Sequence, residues 1–118
     1  MSLEALRLNG AVVVHCQGRV IFRGEARSLS SMIAEVLPTA RRMVVDLAGV
    51  ASVHSEALGE LVLTHMWAEA AGYTLKFACP HEAVQRVLEN TNLISVLEIH
   101  QSVAEAMAAM EQEEVHSA

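Results

Sequence analysis

A serine lies between a histidine and a glutamate at the junction of two apolar segments. His54, Ser55 and Glu56 stand where the strand-like run RMVVDLA gives way to the helix-like run EALGELVLTHMWAEAAG. A serine hydroxyl at a helix N-terminus can accept a hydrogen bond from a helix amide, a cap worth about 1 kcal/mol. The same hydroxyl can act as a nucleophile or receive a phosphate, because helix amides and the helix dipole stabilise an anion there.

The nucleophile hypothesis requires a base and a strained turn. His54 and His65 are the nearby bases, but the best-known serine turn of this kind has glycine two residues before and after the serine. Val53 and Ala57 occupy those positions, and no glycine cluster for an oxyanion hole is present. We therefore expect no enzyme, and a hydrolase ranks below the cap and the phosphorylation site.

Two strands are predicted before the first helix. Asn9-Gly10 joins LEALRL to AVVVHCQ, and this dipeptide strongly favours a hairpin. Leu6 and Leu8 are predicted to form the buried side of the first strand. The following run EARSLSSMIAEVLPTA has apolar residues at helical spacing, with Pro38 expected to end the helix.

The remaining segments continue the alternation. RMVVDLA, YTLKFAC and part of LISVLEIH are predicted strands, and helices follow each of them. Pro80 is expected to open the third helix, and Ser102 with Glu105 matches a capping box for the last one. The predicted fold is α/β, with a mixed sheet of about five strands packed against about four helices. Residues 1–118 form one predicted domain with a core at about 3–110, and the acidic end EQEEVHSA is expected to fray.

Composition excludes several functions. The 118-residue chain carries a net charge of −6 and only 3% aromatic residues, which argues against nucleic-acid binding. No stretch approaches the roughly 20 apolar residues of a membrane span, and the N-terminus does not resemble a signal peptide. We expect a cytoplasmic protein without membrane insertion. The sequence does not indicate an oligomeric state.

Two histidine–cysteine pairs raise the question of a metal site. His15-Cys16 and Cys79-Pro80-His81 offer zinc-like donors, but no Cys-x-x-Cys spacing occurs. Cysteine is also commonly buried as a small apolar residue. We expect neither a metal nor a cofactor.

The segment MVVDLAGVASVHSEALGELV, together with AGYTLKFACPHEAVQRVLENTNLISVLEIHQSVAEAM, resembles a STAS domain, the family named after sulfate transporters and bacterial anti-sigma factor antagonists. Asp46-Leu47 and Leu58-Gly59 match the two ends of the family signature Asp-Leu…Asp-Ser-Ser-Gly-Leu-Gly. Ser55 holds the position that is phosphorylated in some members. His54, Glu56 and Ala57 replace the signature Asp, the second Ser and the Gly.

The resemblance implies a partner-switching function. An unmodified antagonist binds an anti-sigma factor that is also a serine kinase, and so releases a sigma factor. Phosphorylation of Ser55 would break the complex, and a phosphatase would restore it. The alternative is a STAS accessory subunit of a membrane transporter or other complex, without phosphorylation.

Partner contacts are predicted on the loop and helix that follow β-strand RMVVDLA. The candidates are His54, Glu56, Ala57, Gly59, Leu63 and Trp67. Leu63 and Trp67 lie one turn apart, off the inner stripe of the helix, and would form an apolar contact surface if exposed. Alternatively, they pack beneath the C-terminal helix.

Overall fold

The computed structural model describes residues 1–78, 81–92 and 96–117, with side chains up to residue 113. Strands and helices follow one another in the predicted order, β-β-α-β-α-β-α-β-α. Their bounds are β1 Ser2–Leu8, β2 Ala11–Ile21, α1 Arg23–Ala40, β3 Arg42–Val53, α2 Ser55–Ala70, β4 Thr74–Ala78, α3 Glu82–Asn90, β5 Ile99–His100 and α4 Val103–Ser117.

The five strands form one mixed sheet in the order β1-β2-β3-β4-β5. β1 and β2 form an antiparallel hairpin, and the later strands pair in parallel. Asn9 and Gly10 turn the hairpin with φ angles of 50° and 80°. Two successive positive φ angles match the right-handed twist of a hairpin, which confirms the prediction made from the dipeptide.

The helices cover the two faces of the sheet unequally. α1, α2 and α3 supply Leu29, Leu61 and Leu88 to the main core on one face. On the other face, α4 packs Met107 and Met110 onto the central strands. The result is the predicted single α/β domain, with its larger core beneath three helices.

The register between β2 and β3 shifts at a bulge between His15 and Gln17, and the two strands remain paired beyond it. Gly49 on β3 lies so close to this bulge that a Cβ atom would stand 2.8 Å from the Cys16 carbonyl oxygen. A side chain there would displace backbone, so the close approach requires glycine. The extension carries β3 to Val53, beyond the predicted strand RMVVDLA, and fixes where α2 begins.

Two predictions about the first third of the chain are wrong. Leu6 and Leu8 are exposed, because α4 covers the central strands and not the edge strand β1. Pro38 does not end α1, which continues to Ala40. A proline in the last turn removes one amide from the helix, and the actual end is Arg41, which has a left-handed φ of 69° and donates its amide to Leu37 O at 2.6 Å.

The third helix begins at Glu82, with His81 as its N-cap residue. The predicted role of Pro80 lies outside the described residues. The predicted strand within LISVLEIH is reduced to Ile99–His100, and residues 93–95 of that segment also lie outside the described part.

Candidate functional site

The turn that joins β3 to α2 is fixed by its backbone. His54 donates its amide to Ile21 O at the end of β2, at 2.8 Å. Its ring lies against the Phe22 ring, with 5.7 Å between centroids. His54 therefore anchors the start of α2 to the junction between β2 and α1.

His54, and not Ser55, is the N-cap residue of α2, which corrects the capping hypothesis. The His54 ring nitrogen Nδ1 accepts a hydrogen bond from the Glu56 amide at 3.4 Å. Extended backbone at His54 places Ser55 as the first helical residue, one position after the cap. The Ser55 side chain is exposed and has no hydrogen bond with any residue that the structure describes.

The amides at this N-terminus are partly engaged. The amides of Ala57 and Leu58 donate to the His54 carbonyl oxygen at 2.9 and 3.3 Å. The Glu56 amide donates to His54 Nδ1 at 3.4 Å. A phosphate on Ser55 would compete mainly with that 3.4 Å contact, which is weak by length. The dipole at the N-terminus of α2 favours the added negative charge.

A groove runs beside Ser55 between α1 and α2. Its volume is about 570 Å³, and Arg23, Glu56, Gly59, Glu60, Val62 and Leu63 line it. We call it the α1–α2 groove. Glu60 also reaches Arg27 across the helix pair, with 3.5 Å between Oε1 and Nε. The groove thus has apolar walls and a mixed charged rim beside the candidate phosphorylation site.

Gly59 is not required by the packing of α2. A Cβ atom built there meets no atom within 4 Å, and glycine inside a helix costs roughly 1 kcal/mol relative to alanine. Gly59 therefore weakens the helix while leaving the groove wider.

The outer side of α2 carries an apolar patch made of Leu63, Met66 and Trp67. Their exposed fractions are 63%, 56% and 39%. The proposal that they pack beneath the C-terminal helix is wrong, because α4 lies on the opposite face of the sheet. Leu63 also lines the α1–α2 groove, and together with Trp67 it borders a second depression of about 260 Å³. Groove and patch are therefore continuous.

The predicted site residues divide into two groups. His54, Ser55, Glu56, Gly59, Leu63 and Trp67 are all exposed on one side of the molecule. Ala57 is completely buried in the main core, so it shapes the turn from below and cannot touch a partner directly. Sequence reasoning missed Phe22, Arg23 and Met66, which complete this surface. Met66 lies three residues after Leu63, a helical spacing that points to one face.

The serine-hydrolase hypothesis receives no support from this geometry. His65 lies ten residues after Ser55 on α2, which separates them by about 15 Å along the helix axis. His65 is also buried on the inner side of the helix. His54 uses Nδ1 to cap the helix. Neither imidazole is placed as a base for the Ser55 hydroxyl.

The described members of the two histidine–cysteine pairs each have other surroundings. His15 Nδ1 bonds Asp46 Oδ2 at 2.7 Å, whereas Cys16 is buried in the main core. Burial, together with the negative charge of Asp46, raises the pKa of the Cys16 thiol to about 12. His81 Nε2 lies 2.6 Å from Ala48 O, and Cys79 is outside the described residues.

The strand order and the packing of the helices agree with a known family. A family model described as the STAS domain matches residues 2–106. The chain belongs to the STAS domain family. This match confirms the resemblance identified from the signature segment.

Solved structures show the same STAS fold. An anti-sigma factor antagonist from Mycobacterium paratuberculosis aligns with 21% identity and a TM-score of 0.80, covering 92% of each chain. A sulfate transporter family protein from Wolinella succinogenes aligns with 15% identity and a TM-score of 0.76, covering 91% of this chain and 89% of its own. The unphosphorylated antagonist SpoIIAA of Bacillus aligns with 12% identity and a TM-score of 0.74, covering 94% of this chain and 97% of its own. SpoIIAA has also been solved in a phosphorylated form.

No curated protein sequence matches this STAS domain significantly. Within the described residues, every helix is too short or too polar to cross a membrane.

Proposed function

We propose that this STAS domain is an anti-sigma factor antagonist whose binding surface is switched by phosphorylation of Ser55. Its partner would be an anti-sigma factor with serine kinase activity, and a phosphatase would reverse the modification. The STAS domain itself contributes binding and no catalysis. The observation that carries this proposal is the position of an exposed hydroxyl, with no hydrogen bond to a described residue, at the N-terminus of the helix that bears the apolar patch.

The patch and the groove supply the binding energy in this proposal. Leu63, Met66 and Trp67 present apolar area that a partner would remove from water, at about 25 cal/mol per Å². Tryptophan is frequent among residues that dominate binding energy at interfaces. Arg23 and Glu60 at the groove fix the orientation of the partner through charge complementarity.

Charge supplies the switch. A phosphoserine adds about −1.5 to −2 charge at neutral pH. Glu56 follows Ser55 directly, and Glu60 lies one turn further along the same groove. A phosphate would therefore create a strongly acidic edge next to an apolar contact surface. A docked protein would be released by repulsion between like charges and by the cost of removing the phosphate from water.

Phosphorylation is tested with the cognate anti-sigma factor kinase, ATP and Mg²⁺, followed by intact-mass measurement. We expect a mass increase of one phosphate, which Ser55→Ala abolishes. Ser102→Ala is the matched control, because Ser102 is also an exposed serine at a helix N-terminus and is followed three residues later by a glutamate. Phosphate incorporation that persists in Ser55→Ala and disappears in Ser102→Ala would reject the assignment.

A transporter accessory subunit is the second candidate function. His54 replaces the family's signature Asp next to the phosphorylation site, and the fold also matches a sulfate transporter family protein. This candidate uses the same groove and patch without phosphate. An unchanged mass after kinase treatment, combined with partner binding that Trp67→Ala weakens, would select it over the antagonist.

A further inference from the structure

A polar cavity lies near the β5 edge of the sheet, apart from the α1–α2 groove. Its volume is about 220 Å³, and β5 beside it pairs with Phe77 and Ala78 of β4. The lining residues are His65, Glu69, Tyr73, Thr74, Leu75, Glu98 and Glu113. The cavity thus gathers side chains from α2, from the segment before β5 and from α4.

Three metal-ligating groups converge in this cavity. His65, Glu69 and Glu98 each place one donor atom within 4.8 Å of the others. His65 and Glu69 are four residues apart on α2, a spacing that puts both on the same helix face. Their Nε2 and Oε1 atoms are 4.0 Å apart. Ligand atoms at roughly 2.0–2.2 Å from a tetrahedral zinc lie about 3.4 Å from each other, so a small rotation of the exposed Glu69 side chain closes the gap.

His65 is a largely buried imidazole that lines the cavity. Its side chain is 4% exposed, and among the described residues its nearest oppositely charged group is the Glu69 carboxylate at 4.0 Å. That distance is too long for a hydrogen bond, and the His65 ring forms no hydrogen bond with another described residue. His65 lines the cavity, so a cation held there would be within reach of its ring.

The charges around the cavity also favour a divalent cation. Lys76 is buried, and its Nζ bonds Glu98 Oε2 and Glu113 Oε1 at 2.7 Å each. The Lys76 ammonium therefore offsets only part of the negative charge that the surrounding carboxylates bring. Three carboxylates, those of Glu69, Glu98 and Glu113, and this one ammonium sum to −2. Glu98 uses one oxygen for Lys76 and keeps the other for a ligand.

We propose that His65, Glu69 and Glu98 form a binding site for one divalent transition-metal ion, with Zn²⁺ as the best match. One imidazole with two carboxylates suits zinc better than the all-oxygen sets that calcium and magnesium prefer. Water completes the coordination at the open side of the cavity. The ion ties the C-terminal half of α2 to the segment before β5, independently of phosphorylation at Ser55.

The test is calorimetric titration of the chelator-treated full chain with Zn²⁺. We expect one site per chain with a Kd of about 10 μM or tighter, and a tenfold or greater weakening in Glu69→Gln. Glu69 is exposed, so this variant keeps the fold. Glu111→Gln is the matched control, since Glu111 is an exposed glutamate of α4 outside the cavity, and its Kd should stay unchanged.

Other histidines of the chain can bind zinc adventitiously, so the readout must be local. Zn²⁺ should shift the imidazole nitrogen resonances of His65 at one equivalent, before those of His15, His54 or His81. His65→Gln provides a second variant, with circular dichroism to confirm that it folds. Absence of one-to-one binding overturns the proposal. Equal affinity in wild type and Glu69→Gln, or shifts confined to other histidines, means an adventitious ion only and also overturns it.

Discussion

The N-termini of α2 and α4 both present a serine, and the two serines do different things. At α4, Ser102 Oγ accepts the Glu105 amide at 3.1 Å, and Glu105 Oε2 accepts the Gln101 amide at 2.9 Å. At α2, His54 takes the capping position and Ser55 is left exposed and without a hydrogen bond in the described structure. A one-residue difference in where the helix begins therefore separates a structural hydroxyl from one that is available to an enzyme.

The apolar residues of the same two helices also differ in how far they are buried. α4 buries Ala106, Met107 and Met110 against the central strands, and α2 leaves Leu63, Met66 and Trp67 in solvent in addition to its buried inner stripe. α4 is therefore a packing helix, whereas α2 is a core helix that also exposes an apolar patch.

The largest expected difference concerns the apolar side chains. Met110→Ala should lower the free energy of unfolding by about 2–5 kcal/mol, because it leaves a cavity between α4 and the sheet. Leu63→Ala removes an exposed side chain and should change stability by no more than about 0.5 kcal/mol. Urea denaturation measures both. Similar losses in the two variants would show that Leu63 belongs to the core after all.

The next difference concerns charge at the two serines. Ser55→Asp should weaken binding of the anti-sigma factor tenfold or more, or about 1.4 kcal/mol, since it adds a negative charge beside the groove. Ser102→Asp introduces the same charge on a residue that remains a good cap, and should leave the affinity unchanged. Calorimetry with the purified partner measures both affinities. Equal weakening would point to net charge and not to the position of Ser55.

Removing the two hydroxyl groups should affect stability at Ser102 more than at Ser55, the opposite of the expected effect of added charge on binding. Ser102→Ala loses the bond to the Glu105 amide and should cost about 1 kcal/mol of stability. Ser55→Ala loses no such bond and should stay within about 0.5 kcal/mol of wild type. Thermal and urea unfolding provide the measurement. A cost at Ser55 as large as that at Ser102 would restore the original capping hypothesis.

The smallest effect tests the glycine of α2, where α4 has alanines. Gly59→Ala should raise the free energy of unfolding by about 0.5–1 kcal/mol, because the added methyl group meets open space. It should also weaken partner binding by narrowing the groove. Gly72→Ala is the contrasting variant, since its φ of 82° makes any side chain unfavourable. Stabilisation with unchanged affinity would separate Gly59 from the binding surface.

Local sequence signals determined much of the fold. Asn9-Gly10 specified the hairpin, and apolar spacing with capping and turn residues specified the order of strands and helices. These predictions succeeded because turn geometry and helical periodicity depend on residues that are close in the chain. Capping at α4 was predicted for the same reason, since both partners lie within four residues.

Only the tertiary structure decided which surfaces are covered. Nothing near Leu6 in the chain shows that α4 stops short of β1, and nothing near Trp67 shows that α4 packs on the opposite face. The cap at His54 also depends on a residue that is distant in the chain, because the hydrogen bond from the His54 amide to Ile21 O sets where α2 begins. The cavity that holds His65, Glu69 and Glu98 joins residues about thirty positions apart near a short edge strand. Burial and convergence of this kind arise from packing between elements, which residue spacing along one chain does not encode.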